Sequence, residues 1–326
     1  MTALRVLAPA KINLVLRILD RREDGYHDLD TLFQAISLGD EVTLVPGDGP
    51  GIDFRVEGAD VGPTEQNLAF RAARAWSAAT GIDPRIRIQL TKRVPAGAGL
   101  GGGSSDAGAV LRGLEAMHGA LLGVEGISRI GAELGADVPF FCGVAGLARG
   151  EGIGERLTPL PALPERDLVV AVPAVPVPTA GAYGWLASAR ESAARAPRAS
   201  GEGGPQRLET LADPTGAPTW ADIDRIASND FHTVVADQVP EVARLIERLE
   251  DAGLEGVMLS GSGSAVFGFL PRATDGSIDP DGRRVAVDRI TRHVRAELSG
   301  VRTFAATTLG TIPGPETLDT GEGDRP

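Results

Sequence analysis

One cysteine, Cys142, excludes an internal disulfide and any metal centre built from thiolates. Only four histidines occur, and they are scattered, so a histidine-built site is not expected either. Long apolar runs are missing: the longest, Leu168 to Pro178, is too short to span a bilayer and is broken by prolines. The opening residues, MTALRVLAPAKINL, lack a basic stretch followed by a sustained apolar one, so no secretory leader is read there and a cytoplasmic location is expected. Positive charge is in deficit, with a net charge of −12, which disfavours nucleic acid or an anionic membrane as partner. An anionic small substrate stays compatible only with a local basic pocket. Aromatic residues are just 4% of the chain, so an aromatic in a polar setting stands out. Lysine is rarer still, because Lys11 and Lys92 are the only two among 32 basic residues. In so arginine-biased a chain, a retained ammonium suggests a movable point charge between a carboxylate and a phosphate. Either lysine taken alone also fits a surface remnant.

What is present is ordinary for a globular protein: 326 residues, 42% hydrophobic and 23% charged, which is enough for one or two domains. From Lys11 to Ile18 apolar and other residues alternate, which predicts a strand that puts Lys11 and Asn13 on one face. GIDFRVE and RIRIQLT read as further strands, and the stripe Leu68, Ala72, Ala75, Trp76, Ala79 predicts a helix stopped at Gly81. A helix is expected to start near Ser104 or Ser105, and another near Glu125 that stops at Gly135, just before Asp137. The proline-rich TPLPALP, 158–164, suggests a change of domain, followed by a strand over 168–172. Residues 187–218 show weak periodicity and read as a mobile insertion. Beyond them the pattern predicts helices over 240–252 and 284–298 and strands over 257–259, 265–270 and 304–309, an α+β or ferredoxin-like second domain. The polar tail from Pro313 reads as disordered.

The stretch VPAGAGLGGGSSDAG, from Val94, is the densest glycine run and leads straight into a helical pattern. Gly costs a regular element roughly 0.5–1 kcal/mol relative to Ala, so such a run argues for a ligand that the main chain approaches closely. A Walker-type loop fails because Gly103 occupies the position its lysine needs. A dinucleotide fingerprint can be forced from Gly97, Gly99 and Gly102. It lacks the following strand with an acidic end, and about 20 residues on stands apolar Met117. A flexible linker is disfavoured because patterned elements flank the run. There remains a loop of backbone N–H groups around a polyphosphate at a helix N-terminus. There the Ser104 and Ser105 hydroxyls can bond the ligand or hold a metal ion, and the Asp106 carboxylate suits a Mg²⁺-neutralised anion better than a naked one.

PAGAGLGGGSSDAG resembles the phosphate-binding motif of the GHMP kinase superfamily, and its glycine count is similar to that of the 4-diphosphocytidyl-2-C-methyl-D-erythritol kinase branch. Three more stretches agree in order: APAKINLVLRILDRREDGYHDLDTLFQAISLGD, GADVPFFCGVAGLARGEGIGERL and LSGSGSAVFGF, with ASNDF as a weaker match. The resemblance implies a two-domain α+β fold. Residues 1–158 would form an N-terminal domain like domain 2 of ribosomal protein S5, residues 159–312 a ferredoxin-like C-terminal domain, and 313–326 a disordered tail. It implies transfer of phosphate from ATP, with Mg²⁺, to the 2-hydroxyl of a cytidine diphosphate substrate in the non-mevalonate isoprenoid precursor pathway. Other kinases of the superfamily, acting on homoserine, mevalonate or a sugar, stand as the alternative, and so does a non-catalytic nucleotide-binding regulator.

By the same resemblance Asp137 is the catalytic base and Lys11 its charged partner. Taken alone, Asp137 reads first as a helix cap before Pro139. Pro95, Ala96, Gly97, Ala98, Gly99, Leu100, Gly101, Gly102, Gly103, Ser104 and Ser105 are implied to hold the nucleotide, with Lys92 steadying it or the substrate diphosphate. Ala98 stands where the branch more often has glycine. Tyr26 and His27 are implied to recognise cytosine, with Tyr183 closing the other side of the base. Asn13, Thr179, Gly261, Ser262 and Gly263 complete the implied substrate contacts, although SGSGS alone reads as a plain hairpin loop. No metal ligand set and no choice between monomer and homodimer follows from the sequence.

Overall fold

The computed structural model describes residues 2–59, 61–195, 217–271 and 280–318. The chain opens with a long hairpin, β1 (Leu4–Arg21) and β2 (His27–Pro46). β1 is far longer than the alternation from Lys11 suggests. In its first half Val6, Ala8 and Ala10 are fully buried and Arg5 is the one exposed side chain, so no repeating polar face marks it in the sequence. Then come β3 (Ile52–Glu57), α1 (Leu68–Thr80), β4 (Ile86–Thr91), α2 (Gly102–His118), α3 (Gly123–Leu134), the single-turn α4 (Val138–Cys142), β5 (Leu147–Gly152) and β6 (Arg156–Pro159). Asn67 caps α1 by accepting from the Ala69 N–H, and Gly81 ends it in the left-handed region, as the sequence predicts.

A second group follows: β7 (Asp167–Val172), α5 (Thr179–Arg195), α6 (Trp220–Ile226), β8 (Ser228–Asn229), α7 (Phe231–Gln238), α8 (Pro240–Asp251), β9 (Glu255–Leu259), β10 (Val266–Phe269), α9 (Pro280–Glu297), β11 (Arg302–Thr307) and β12 (Glu316–Thr317). The first sheet runs β12-β1-β2-β4-β3, with β5 and β6 added along β2 and β8 along β1. The second is antiparallel in the order β11-β7-β10-β9, the ferredoxin-like arrangement expected.

Two expectations change. Residues 187–195 are not a loose insertion but the second half of α5, because the alanine-rich run has high helix propensity even without an apolar stripe. Residues 196–216 lie outside the described part. The segment from Pro313, read as disordered, is held as far as Leu318. β12 pairs with β1, the Leu318 N–H reaches the Ala3 carbonyl at 2.9 Å, and the buried Arg112 guanidinium donates to the Pro313 and Leu7 carbonyls. Residues 319–326 are not described.

Three apolar clusters explain the shape. One lies between the first sheet and α1–α3, around Trp76, Leu44 and Leu111, and one lies between the second sheet and α5, α7, α8 and α9. The third joins the sheets to each other, packing Ile12, Leu14 and Leu32 against Val170 and Phe267. At one end of this shared core the glycine-rich run, the β9–β10 loop and the start of α5 converge.

Candidate active site

The glycine run forms a shelf held from both sides. The Lys11 N–H donates to Leu100 O at 2.9 Å, the Ala265 N–H to Ala98 O at 3.1 Å, and the Ser260 hydroxyl to Gly99 O at 3.0 Å. Ala98 is buried in this contact without strain. Gly99, at φ +80°, has no such freedom, because a Cβ there would lie 2.2 Å from the Ser260 carbonyl oxygen. Gly99→Ala is therefore expected to cost about 2 kcal/mol or more and to raise KM for ATP. Gly97→Ala, at φ +68° but with open space around it, should carry the conformational cost alone. Thermal melts and ATP titrations of the two variants separate collision from strain.

α2 starts at Gly102, not at Ser104 or Ser105, and its cap residue Gly101 at φ +71° offers no side chain to the first turn. Glycines extend the helix because Val94 and Leu68 pack against that turn. Its free N–H groups are thereby left for a ligand, at the positive end of the helix dipole. Beside this turn lies a cavity of about 420 Å³ lined by the run from Pro95 to Ser104, with Lys92, Asp106 and the unforeseen Val61, Gln66, Asn67 and Leu68. Of the last four, Leu68 opens the apolar stripe of α1 and Asn67 is a cap residue type, while Val61 and Gln66 carry no sequence signal.

The two serines separate. Ser104 lines the cavity, whereas Ser105 is fully buried, its hydroxyl without a hydrogen-bond partner among the described residues, and does not reach it. Lys92 is also corrected. It is buried with its ammonium bound to Asp40 and, at 2.7 Å, to Asp106, so it holds the shelf from beneath instead of standing free for a nucleotide. Asp40 completes the support by accepting from the Arg93 and Val94 N–H groups. Burial pushes the Asp106 carboxyl up to about 8 despite the opposing pull of Lys92. For Lys92, burial would lower the pKa, but Asp106 and Asp40 outweigh it and the amine is raised. Lys92 thus holds Asp106 Oδ2, while Oδ1 has no hydrogen-bond partner among the described residues and the side chain borders the cavity.

On the other side of the shelf a cleft of about 760 Å³ opens, and Gly99 and Gly101 line both cavities. Lys11 and Asp137 face each other in it at 3.6 Å. β1 delivers Lys11, whose ammonium donates to Asn13 Oδ1 at 2.7 Å and lies 5.4 Å from the centre of the Phe33 ring. Asp137 precedes α4 but makes no cap hydrogen bond with its side chain, so the cap alternative does not hold and the carboxylate stays turned to the cleft. Asn13 lines the cleft, yet its amide is spent on support: Oδ1 also accepts the Gly261 N–H at 3.0 Å, and Nδ2 donates to Thr31 Oγ1 at 2.8 Å. Asn229, from ASNDF, pins the same loop by donating to Leu259 O and Gly261 O. Gly261 and Ser262 line the cleft. Gly263 lines neither cavity and packs toward Leu259 and Val177.

Thr179 Oγ1 lies 3.2 Å from Ser262 Oγ, so the start of α5 and the β9–β10 loop touch across the cleft. Tyr26, His27 and Tyr183 all line it. Tyr183 does not face an empty slot, however: its ring stacks on His27 with centroids 4.9 Å apart and meets the edge of Phe231. A separation of 4.9 Å is itself a stacking distance, so no base fits between those two rings. Tyr26 stands exposed beside them. Burial, and secondarily the Asp137 charge, raise the Tyr183 phenol, which therefore stays protonated.

Among the described residues no helix is long and apolar enough to cross a membrane, and no group of three or more acidic, histidine or cysteine residues could hold a metal ion. The pattern described as GHMP kinases N terminal domain matches residues 67–143, and that described as GHMP kinases C terminal matches 217–283. The 4-diphosphocytidyl-2-C-methyl-D-erythritol kinase of Geobacter metallireducens is 41% identical over 273 residues, covering 83% of this chain and 90% of the relative. The protein of the same name from Solibacter usitatus is 44% identical, covering 81% and 80%. A crystal structure of 4-(cytidine 5'-diphospho)-2C-methyl-D-erythritol kinase matches with a TM-score of 0.67 and 36% identity over 94% of this chain and 99% of that one. Homoserine kinase from Cytophaga hutchinsonii gives a TM-score of 0.68 over 98% of both chains but at 19% identity, a likeness of fold alone.

Proposed function

The chain belongs to the GHMP kinase family, and from that premise we propose that its two cavities, meeting at Gly99 and Gly101, hold ATP on one side and an alcohol substrate on the other. The reaction is the ATP-dependent phosphorylation of 4-diphosphocytidyl-2-C-methyl-D-erythritol at its 2-hydroxyl, giving the 2-phosphate and ADP, in the non-mevalonate route to isoprenoids. One observation carries the assignment of the chemistry: Lys11 and Asp137, 126 residues apart in the chain, stand 3.6 Å apart where the cavities join.

A tertiary alcohol is a hindered nucleophile, so alignment and charge stabilisation supply most of the acceleration. The Asp137 carboxylate accepts the hydroxyl proton as the oxygen attacks the terminal phosphorus. The Lys11 ammonium, oriented by Asn13 Oδ1, holds that carboxylate in place and offsets charge on the transferring group. The free N–H groups of the first turn of α2 bind the phosphates left on the ADP side. Mg²⁺ fits a hard-oxygen set made of the Ser104 hydroxyl and the phosphate oxygens, since this ion commonly takes few protein ligands and keeps water. When bound, it supplies neutralisation of phosphate charge; Ser105, whose hydroxyl does not reach the cavity, is not part of its set.

On the substrate side, the cytidine base belongs to the pocket wall built by Tyr26, His27 and Tyr183, with Thr179 and Ser262 at its lower rim. An ATP-dependent biosynthetic kinase of this kind acts in the cytoplasm. Coupled ADP release with Mg·ATP tests the whole reading, comparing the diphosphocytidyl substrate with homoserine, mevalonate and galactose. Turnover with the cytidine substrate alone is expected; turnover with another alcohol moves the chain to a different branch, and ATP binding without any turnover leaves a regulator.

A further inference from the structure

The proposed substrate carries a diphosphate, yet the cleft has little positive charge to offer it. Lys11 is engaged by Asp137 and Asn13, and Asp137 itself is negative. The remaining cation that lines the cleft is Arg21, the last residue of β1. Among the described residues it has no ion pair and no hydrogen bond from its side chain. Its neighbour Arg22, by contrast, is taken up by Asp24 at 3.0 Å and Asp28 at 3.6 Å and does not line the cleft. Arg190, from α5, is likewise committed, to Asp230 and the Ile18 carbonyl.

Register places Arg21 beside the base pocket. It stands directly opposite His27 across the β1–β2 hairpin, and cross-strand partners project to the same face with Cβ atoms about 5 Å apart. The His27 ring in turn stacks on Tyr183. A Cβ built on Gly25 would lie 3.9 Å from an Arg21 terminal nitrogen, so the guanidinium folds along the turn that carries Tyr26. A planar fork of N–H donors matches phosphate oxygens two at a time. We propose that Arg21 holds the diphosphate of the substrate, so that it sets affinity for the diphosphocytidyl group without taking part in phosphoryl transfer. This rests on the substrate reading given above.

The test measures binding of cytidine, CMP and CDP to the whole protein by calorimetry, with a non-hydrolysable ATP analogue saturating the nucleotide cavity, for the wild type, Arg21→Gln and Arg21→Lys. The wild type should bind CDP more tightly than cytidine. Arg21→Gln should bind cytidine as the wild type does but CDP roughly 10–100-fold more weakly, the range of a charged hydrogen bond. KM for the full substrate should rise by the same factor with kcat nearly unchanged, and Arg21→Lys should recover part of the loss. Unchanged CDP affinity in Arg21→Gln overturns the assignment, as does an equal loss for cytidine and CDP, which would place Arg21 on the base or the hairpin. A wild type that binds none of the three overturns the substrate reading itself, and the role of Arg21 with it.

Discussion

Asp137→Asn lowers kcat by about 10²–10⁴-fold while KM for ATP stays within a few-fold of the wild type. The substitution keeps shape but removes the ability to accept a proton and, with the negative charge, the ion pair to Lys11. Asp137 caps nothing, packs at the cleft wall and is about one-third exposed, so folding should be insensitive to the change. Lys11→Met should lose a comparable factor, because the ammonium that orients the carboxylate disappears. The informative variant is the double one. If the 3.6 Å pair works as a unit, removing both members costs about as much as removing either. Single-turnover phosphoryl transfer measures this. A double variant whose loss is the product of the single losses means two independent contributions, and an active Asp137→Asn removes the base assignment altogether.

The largest effect on stability is expected from Lys92→Met, at about 3–5 kcal/mol, since it leaves the buried Asp40 and Asp106 carboxyl groups without their shared cation. The loss depends on pH, and its sign follows from the carboxyls. Asp106, with an ordinary value of 3.8, already stands at about 8 with Lys92 in place, because burial disfavours its charge. Without Lys92 the folded state holds protons still more firmly than the unfolded chain does. Where the folded state binds the extra proton, stability falls as pH rises, here from about pH 4 to beyond pH 8. Wild type shares this fall up to about pH 8, so the deficit of the variant should stay level from about pH 4 to pH 8 and widen above pH 8, by urea titration at each pH. A deficit independent of pH would show that Lys92 acts through packing and not through Asp40 and Asp106. ATP affinity should fall with the same change, because Asp40 ties the Arg93 and Val94 N–H groups at the entry to the glycine shelf.

Position in the linear chain and position in the site diverge at identifiable residues. Lys92 is a rare lysine next to a phosphate loop, and a binding role is the simplest inference from that adjacency. Its true neighbours, Asp40 and Asp106, lie 52 and 14 residues away, and only the packing of β2, β4 and α2 reveals that its charge is already matched. Ser104 and Ser105 are adjacent and chemically identical, yet helical rotation turns one to the cavity and the other into the core. Asn13 looked like a ligand because it shares a strand face with Lys11, and that face is real. Its amide is nevertheless consumed by Lys11, Thr31 and Gly261, the last of these 248 residues away. Arg21 and Arg22 are equally basic neighbours in sequence, and only the hairpin register and two aspartates distinguish the one left free.

The sequence by itself determined the local features: a glycine run that needs positive φ and close backbone approach, a helix behind it, strand periodicities, the ferredoxin-like order of the second half, and motifs dense enough to indicate the family. These depend on residues within a few positions of one another, where propensity and periodicity act. Tertiary structure alone decided which charges are spent and which are available, because a salt bridge or a buried amide is defined by partners brought together through a shared core. It also decided that the glycine shelf separates two cavities and that Lys11 meets Asp137 at their junction, since that meeting depends on how β1 and the segment before α4 pack around α2.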